Sequence, residues 1–241
     1  MVPHLYVFST YVEVILPHQG VLLAGRRILH VCGGDPSLFD STVNLVKYSP
    51  RMYIDCIFTG QLVDLPTIAK ETNNLIITAQ HMDSLKPGRG MGHVLPEALG
   101  HVGIKAVVLN HAEKPLTIAE LDATVKRAKE VGLATIVCSD TVEQCRAIAE
   151  LNPDVMICEP DSLIGTGNSS NEDYIKSTTA AVRSVNPNIL IMQAAGVSTG
   201  QDVEKIMQLG ADGTGGTSGI IKAPSWEAKI VEMMSALVKF K

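Results

Sequence analysis

The sequence predicts an α/β protein in which parallel strands alternate with helices and close into a (β/α)8 barrel. Short runs rich in valine and isoleucine, typical of strands buried on both faces, alternate with longer stretches whose apolar residues recur at helical spacing. The chain has 241 residues, close to the length of about 250 that is typical of such barrels. An open doubly wound sheet is the alternative, but no G-x-G-x-x-G motif follows the first strand. We therefore expect one domain over residues 1–241.

Seven strand and helix units are predicted from residue 53 onward. The predicted strands are 53–58, 75–80, 106–110, 134–138, 155–158, 189–193 and 211–216. The predicted helices are 65–71, 95–101, 118–131, 141–151, 171–184, 201–209 and 225–238. Gly132 and Gly210 favour helix ends, because glycine readily adopts the left-handed conformation that terminates a helix, and each precedes a predicted strand.

The first 50 residues are less regular than the rest of the chain. Residues 6–12 and 28–32 both have the composition of strands, and only one of them can be the first strand of the barrel. Residues 17–27 are then an insertion or a hairpin, and residues 36–48 are predicted to form the first helix. The sequence of this segment therefore does not decide which strand is the first of the barrel.

Composition and charge exclude several kinds of partner. Lysine plus arginine number 20 against 25 aspartate plus glutamate, and no long basic run offers a surface for nucleic acid or an anionic membrane. The apolar runs are much shorter than the ~20 residues that cross a bilayer. The 5 cysteines include no C-x-x-C pair, so we expect a reducing cytoplasm, no disulfide framework and no metal site. Small molecules or copies of the same chain remain as partners.

Two stretches place acid–base side chains directly after predicted strands. In a barrel of this kind, the chemistry lies on the loops that follow the carboxyl ends of the strands. His111 and Glu113 follow one strand, and Glu159 follows another. A carboxylate at a buried strand end is costly unless it is paired or used for proton transfer. Pro160 and the Gly-Thr-Gly run at 165–167 suit a loop that closes over such a site.

A third stretch is rich in glycine and follows the last predicted strand. Residues 213–219 read G-T-G-G-T-S-G, and residues 195–198 read A-G-V-S one unit earlier. Glycine lets a backbone approach an anion closely, and phosphate often binds after the last two strands of this barrel. Each of the three stretches alone could be a packed histidine or a flexible turn. Their order along the chain favours a functional site.

With these three stretches in this order, the chain resembles the triosephosphate isomerase family, most of all its short archaeal form. The resemblance rests on N-H-A-E at 110–113, E-P-x-x-L-I-G-T-G at 159–167 and A-G-V-S-T-G at 195–200. It implies a single-domain TIM barrel that interconverts glyceraldehyde 3-phosphate and dihydroxyacetone phosphate through an enediolate, in glycolysis and gluconeogenesis. It also implies a small phosphorylated sugar as substrate, no cofactor, and a homodimer or homotetramer.

The resemblance assigns roles to individual residues. Glu159 matches the base that moves a proton between adjacent carbons, and His111 matches the electrophile that hydrogen-bonds the carbonyl oxygen. Glu113 matches a supporting carboxylate beside the histidine. The residues that match the phosphate-binding loops are Ile164, Gly165, Gly196, Gly216, Thr217 and Ser218.

The sequence departs from the family at the end of the first strand. There the family places Asn-x-Lys, whose ammonium helps to hold the phosphate. If 6–12 is the first strand, Val7 and Ser9 stand in these positions, and if 28–32 is the first strand, no lysine follows in the right place. Each ~1.4 kcal/mol of lost transition-state stabilisation slows a reaction about tenfold, so we expect weak activity. Two alternatives follow: a paralogue that binds a phosphorylated metabolite with impaired catalysis, or an isomerase of another small sugar phosphate.

Overall fold

A closed ring of eight parallel strands organises the chain. The computed structural model describes residues 12–13, 27–32, 54–71 and 75–240. The ring strands are β2 (Arg27–Cys32), β3 (Ile54–Gly60), β4 (Ile76–Ala79), β5 (Ala106–Leu109), β6 (Ala134–Ser139), β7 (Val155–Cys158), β8 (Leu190–Gln193) and β9 (Gly213–Gly215). Each strand pairs in parallel with the next, and β9 pairs with β2. The predicted (β/α)8 barrel is therefore confirmed.

Helices alternate with these strands as predicted. They are α1 (Leu65–Glu71), α2 (Pro96–His101), α3 (Ile118–Glu130), α4 (Val142–Ala149), α5 (Glu172–Val185), α6 (Gly200–Gln208), α7 (Ser218–Ile221) and α8 (Trp226–Leu237). The seven predicted strands and seven predicted helices all lie within two residues of the observed bounds. Helix α7 was not predicted, because a single turn is too short to show helical periodicity. None of the described helices is long and apolar enough to span a membrane.

The strand that opens the barrel is β2, which decides between the two candidates at the start of the chain. It pairs with β3 on one side and with β9 on the other. The other candidate, 6–12, is described only at Val12, which belongs to a two-residue strand β1 (Val12–Glu13) that pairs antiparallel with β3. The predicted helix at 36–48 lies outside the described residues, as does Ser9.

Side-chain caps fix where two of the helices begin, and so fix the length of the loops before them. The Thr117 hydroxyl accepts the Glu120 N–H at the start of α3, while the Glu120 carboxylate accepts the Thr117 N–H at 2.8 Å. Thr199 and Asp202 form the same reciprocal pair at the start of α6. Such capping boxes satisfy backbone donors that have no partner inside the helix. The loops before these helices are residues 110–117 after β5 and residues 194–199 after β8.

The barrel strands are held together by burial of aliphatic side chains. Every residue of β5 and β7 is buried, which is expected of parallel strands covered on both faces. Val107, Met156 and Ile191 are completely shielded from solvent. Burying one such side chain contributes roughly 1.5–3 kcal/mol to the free energy of folding. Burial of these aliphatic side chains therefore stabilises the barrel.

A carboxylate links two strands at the amino end of the barrel. Asp154, which precedes β7, accepts hydrogen bonds from the Thr135 N–H at 2.7 Å and the Thr135 hydroxyl at 2.8 Å. The Asp154 N–H donates to the same hydroxyl oxygen at 3.1 Å. Thr135 is completely buried, so its polar groups have no access to water. This pair holds β6 against β7 at the end opposite to Glu159.

We expect Asp154→Ala to lower the free energy of unfolding by about 1–3 kcal/mol, because two buried Thr135 donors lose their acceptor. Urea denaturation measures this change. Asp122→Ala is the matched control, since Asp122 makes a partly exposed ion pair with Lys126 that contributes at most about 0.5 kcal/mol. Equal midpoints for the two variants would contradict the prediction.

Candidate active site

The loops at the carboxyl ends of β5, β7, β8 and β9 surround one cavity of about 350 Å³. Eight of the nine predicted site residues line it: Glu113, Glu159, Ile164, Gly165, Gly196, Gly216, Thr217 and Ser218. The ninth, His111, is not among the lining residues, but its ring contacts Glu113. The barrel therefore brings together residues that lie more than a hundred positions apart in the sequence.

The hydrogen bonding of His111 determines which ring nitrogen carries the proton. Its Nδ1 accepts the Glu113 backbone N–H at 3.2 Å. A nitrogen that accepts a hydrogen bond carries no proton, so the neutral ring is protonated at Nε2. Burial lowers the pKa of His111, and this effect exceeds the opposing influence of the Glu113 and Asp161 carboxylates. The site therefore holds a neutral imidazole whose Nε2–H is a donor.

Asn110 positions the turn that carries His111. It has a φ of 58°, a left-handed conformation that asparagine tolerates better than most residues. Its amide Nδ2 donates to the Cys138 carbonyl on β6 at 3.0 Å, and its Oδ1 accepts the Leu116 N–H at 3.0 Å. The Lys114 N–H donates to the His111 carbonyl at 2.8 Å. These bonds fix the turn against the neighbouring strand.

Glu159 is buried immediately after β7, with only 7% of its surface exposed. Its backbone N–H donates to the Ser139 carbonyl at 2.9 Å, and its carboxylate accepts the Ala195 N–H. Burial raises the pKa of Glu159 to about 8, against the opposing effect of the Ala195 hydrogen bond. The Asp161 carboxylate raises it further. A base whose pKa lies near neutral pH is well matched to proton transfer.

Among the described residues, the side chains packed beside Cys158, which precedes Glu159, carry no basic group. Cys158, the preceding residue, is completely buried beside Cys145, with their Sγ atoms 3.5 Å apart. The Ser139 hydroxyl lies 3.1 Å from the Cys145 sulfur and 3.8 Å from the Cys158 sulfur. Because these neighbours are thiols and a hydroxyl, burial is the dominant influence on the pKa of the Glu159 carboxyl group.

The segment after β7 is shaped by two glycines in the left-handed region. Asp161–Leu163 form one turn of 3₁₀ helix, and Gly165 and Gly167 follow with φ values of 75° and 80°. Between them, the Thr166 hydroxyl donates to the Leu163 carbonyl at 2.8 Å and accepts the Asn168 N–H at 3.1 Å. Other residues rarely adopt these φ values, so the glycines are required for this local conformation.

Several backbone donors at the cavity have no acceptor within the described part of the protein. The N–H groups of Gly165, Gly196, Thr217 and Ser218 donate to nothing among the residues that the structure describes. Backbone donors in folded proteins are almost always paired with protein, water or a ligand. Four such donors at one cavity suit an anion with several acceptor oxygens. The described residues contain no cluster of three metal-ligating side chains.

Glycine also allows the loops after β7, β8 and β9 to contact one another through their backbones. A Cβ on Gly196, whose φ is 67°, would lie 2.2 Å from the carbonyl carbon and oxygen of Asn168. A Cβ on Gly216 would lie 2.7 Å from the Val197 carbonyl oxygen. Side chains at these positions would push the loops after β7, β8 and β9 apart, and so would open the cavity.

The fold and the cavity together define a (β/α)8-barrel enzyme suited to proton transfer on a small anionic substrate. A family model described as triosephosphate isomerase matches residues 37–235. The chain therefore belongs to the triosephosphate isomerase family, and the resemblance seen in the sequence is confirmed.

Three archaeal relatives carry the name triosephosphate isomerase. That of Methanocaldococcus jannaschii is 38% identical over 191 residues, which cover 78% of this chain and 87% of the relative. That of Methanobacterium bryantii is 33% identical over 234 residues, covering 95% and 94%. That of Methanoculleus marisnigri is 36% identical over 164 residues, covering 67% and 74%. Similarity to the archaeal form therefore extends over most of the chain.

Sequence reasoning missed three residues that shape the site. Ala195 donates to Glu159 and has a φ of 75°, which is unusual for a residue with a side chain. Asn110 holds the turn of His111, and it belongs to the N-H-A-E motif and to the predicted strand 106–110, but no role was predicted for it. Lys222 lines the cavity, but it follows a helix too short to be predicted.

Burial of Glu159 predicts an unusual dependence of stability on pH. The folded state holds a proton that the unfolded state loses near the ordinary pKa of 4.5, so stability should fall as pH rises from about 4.5 to about 8. Glu159→Gln removes this effect and should be more stable than the parent above pH 8, by on the order of a few kcal/mol. Urea denaturation at pH 5, 7 and 9 tests this, with the exposed Glu150→Gln as control. The same dependence of the free energy of unfolding on pH for the parent and Glu159→Gln would contradict the prediction.

The packing of Gly196 predicts a selective loss of anion binding. Gly196→Ala places a methyl group against the Asn168 backbone, so we expect at least tenfold weaker binding of inorganic phosphate by calorimetry. Gly132→Ala is the matched control, because Gly132 also has a positive φ, of 76°, but its added Cβ would meet nothing within 4 Å. Both variants should lose stability, and only Gly196→Ala should lose phosphate affinity. Equal phosphate affinities would contradict the prediction.

Proposed function

We propose that this protein interconverts glyceraldehyde 3-phosphate and dihydroxyacetone phosphate through an enediolate. The observation that carries the proposal is that a buried carboxyl group with a pKa near 8 shares a cavity with backbone N–H groups that have no acceptor in the described part of the chain. One part of the cavity suits proton transfer and the other suits a phosphate. The relatives that share most of the chain are named for this reaction. Their names favour turnover over a paralogue that only binds a metabolite.

In this proposal Glu159 is the base. Its carboxylate removes a proton from the carbon beside the carbonyl, and the electron pair of that C–H bond forms the C=C bond of the enediolate. The His111 Nε2–H donates a hydrogen bond to the oxygen that gains negative charge. The isomerisation is complete once Glu159 has returned its proton to the adjacent carbon and the hydroxyl proton has moved from the oxygen that becomes the new carbonyl to the oxygen that becomes the new hydroxyl group. Glu113 supports the imidazole through its backbone N–H.

The phosphate occupies the glycine-rich part of the cavity in the same proposal. Gly165, Gly196, Thr217 and Ser218 donate backbone hydrogen bonds to its oxygens, and Ile164 and Gly216 complete the surrounding wall. Closure of the segment after β7 over the phosphate would exclude water, which protects the enediolate from loss of phosphate. Binding of the phosphate thereby supplies free energy that helps to orient the reacting carbons of the substrate.

We further propose that the protein is a cytoplasmic homodimer or homotetramer formed from one domain over residues 1–241. Burial of Cys56, Cys138, Cys145 and Cys158 as free thiols supports a reducing compartment. Light scattering of the purified protein would determine its oligomeric state.

A coupled assay of triose phosphate interconversion tests the proposed function. We expect kcat/KM to rise about tenfold per pH unit and to level above about pH 8, because only the ionised Glu159 accepts a proton. Glu159→Gln should lower kcat/KM by about 10²–10⁴-fold, and the exposed Glu150→Gln should leave it unchanged. Absence of interconversion by a protein with a normal circular dichroism spectrum would refute the proposal.

A further inference from the structure

The charges around the cavity are unbalanced for a phosphorylated substrate. Glu113 lines it, as does Glu159, which is negative once it is ionised, and the ligand of the proposed function brings up to two more negative charges. Among the described residues that line the cavity, only Lys222 has a basic side chain. The sequence offers no lysine soon after the first barrel strand, since β2 ends at Cys32 and the next lysine is Lys47. The charge of the phosphate must therefore be balanced by another group.

We propose that Lys222 is the cationic residue that binds the phosphate of the substrate. This inference rests on the proposed function and adds to it a charged contact that the backbone donors cannot supply. A charge-assisted hydrogen bond is roughly twice as strong as one between neutral groups. The contact acts on the phosphate rather than on the reacting carbons, so Lys222 favours phosphorylated over unphosphorylated sugars.

The backbone of Lys222 is fixed next to the backbone donors. Helix α7 begins at Ser218, and the Lys222 N–H donates to the Ser218 carbonyl at 3.1 Å, which places the lysine one turn after that residue. The helix is anchored by the completely buried Ile220 and by the Trp226 indole N–H, which donates to the Ile221 carbonyl at 2.9 Å. The main chain at Lys222 is therefore held in place, while its long side chain can adjust to a ligand.

The ammonium group of Lys222 is available to a ligand. Other lysines in this half of the chain pair with carboxylates, such as Lys205 with Glu172 and Lys229 with Glu232. Lys222 makes no ion pair with any carboxylate in the described part of the chain. Binding a phosphate therefore requires no existing ion pair to break.

Calorimetric titration with 2-phosphoglycolate, a phosphate compound that mimics the enediolate, tests the inference without requiring turnover. We expect Lys222→Met to raise the Kd about tenfold and Lys222→Arg to retain most of the affinity, because arginine keeps the charge. Lys105→Met is the matched control, since Lys105 is exposed at the amino end of β5 and its loss changes the net charge equally. Its Kd should stay within about twofold of the parent value.

Salt provides a second readout that a structural role of Lys222 would not reproduce. The Kd of the parent and of Lys105→Met should rise with ionic strength more steeply than that of Lys222→Met, because only the first two keep the screened charge pair. Thermal melts of all variants check folding, and Lys222→Gln replaces Lys222→Met if the latter melts early. Equal affinities and equal salt slopes for Lys222→Met and Lys105→Met would overturn the inference.

The outcomes separate this inference from the proposed function. A parent protein that isomerises triose phosphates while Lys222→Met binds 2-phosphoglycolate normally would refute the role of Lys222 alone. A parent protein that binds the compound through Lys222 without isomerising triose phosphates would refute the proposed function alone. A parent protein that binds neither 2-phosphoglycolate nor inorganic phosphate would refute both.

Discussion

The buried carboxyl group of Glu159 is the constraint on which the rest of the site depends. Its position directly after β7 removes it from water, and no cation among the described residues is found to stabilise the charged form. Its raised pKa makes it a stronger base than an exposed glutamate, at a cost in folding stability. The aliphatic strands of the barrel, with residues such as Met156 and Ile191 completely buried, stabilise the fold enough to hold this unfavourable group.

The two halves of the site differ in their polarity and in their hydrogen-bond donors. Around Glu159 and His111 the protein lowers polarity, so one group is a better base and the other stays a neutral donor. Around Gly196 and Thr217, closely packed backbone donors have no acceptor within the described ranges, and glycine allows this close packing. Four loops from four strands meet in this space. A barrel suits such a site because its shape comes from the strands and its chemistry from the loops.

Much of this arrangement could be predicted from the sequence, and the exceptions have physical reasons. Valine-rich runs and helical periodicity located the elements from residue 54 onward, because burial on both faces leaves a clear pattern. Two strand-like segments at the start could not be ranked, since strand pairing depends on distant partners such as β9. Glu159 and His111 were identifiable from motifs, whereas Lys222 was not, because its place depends on the fold of a single-turn helix.

Pairing of β9 with β2 has a consequence for how the chain folds during synthesis. Strand β2 (27–32) can pair with β9 (213–215) and close the barrel only after β9 has left the ribosome. Contacts so far apart in sequence are slow to form, because a long loop must close before any stabilisation is gained. A nascent chain that has made only the first strands exposes apolar edges to its surroundings, and it is then most vulnerable to aggregation and most dependent on chaperones.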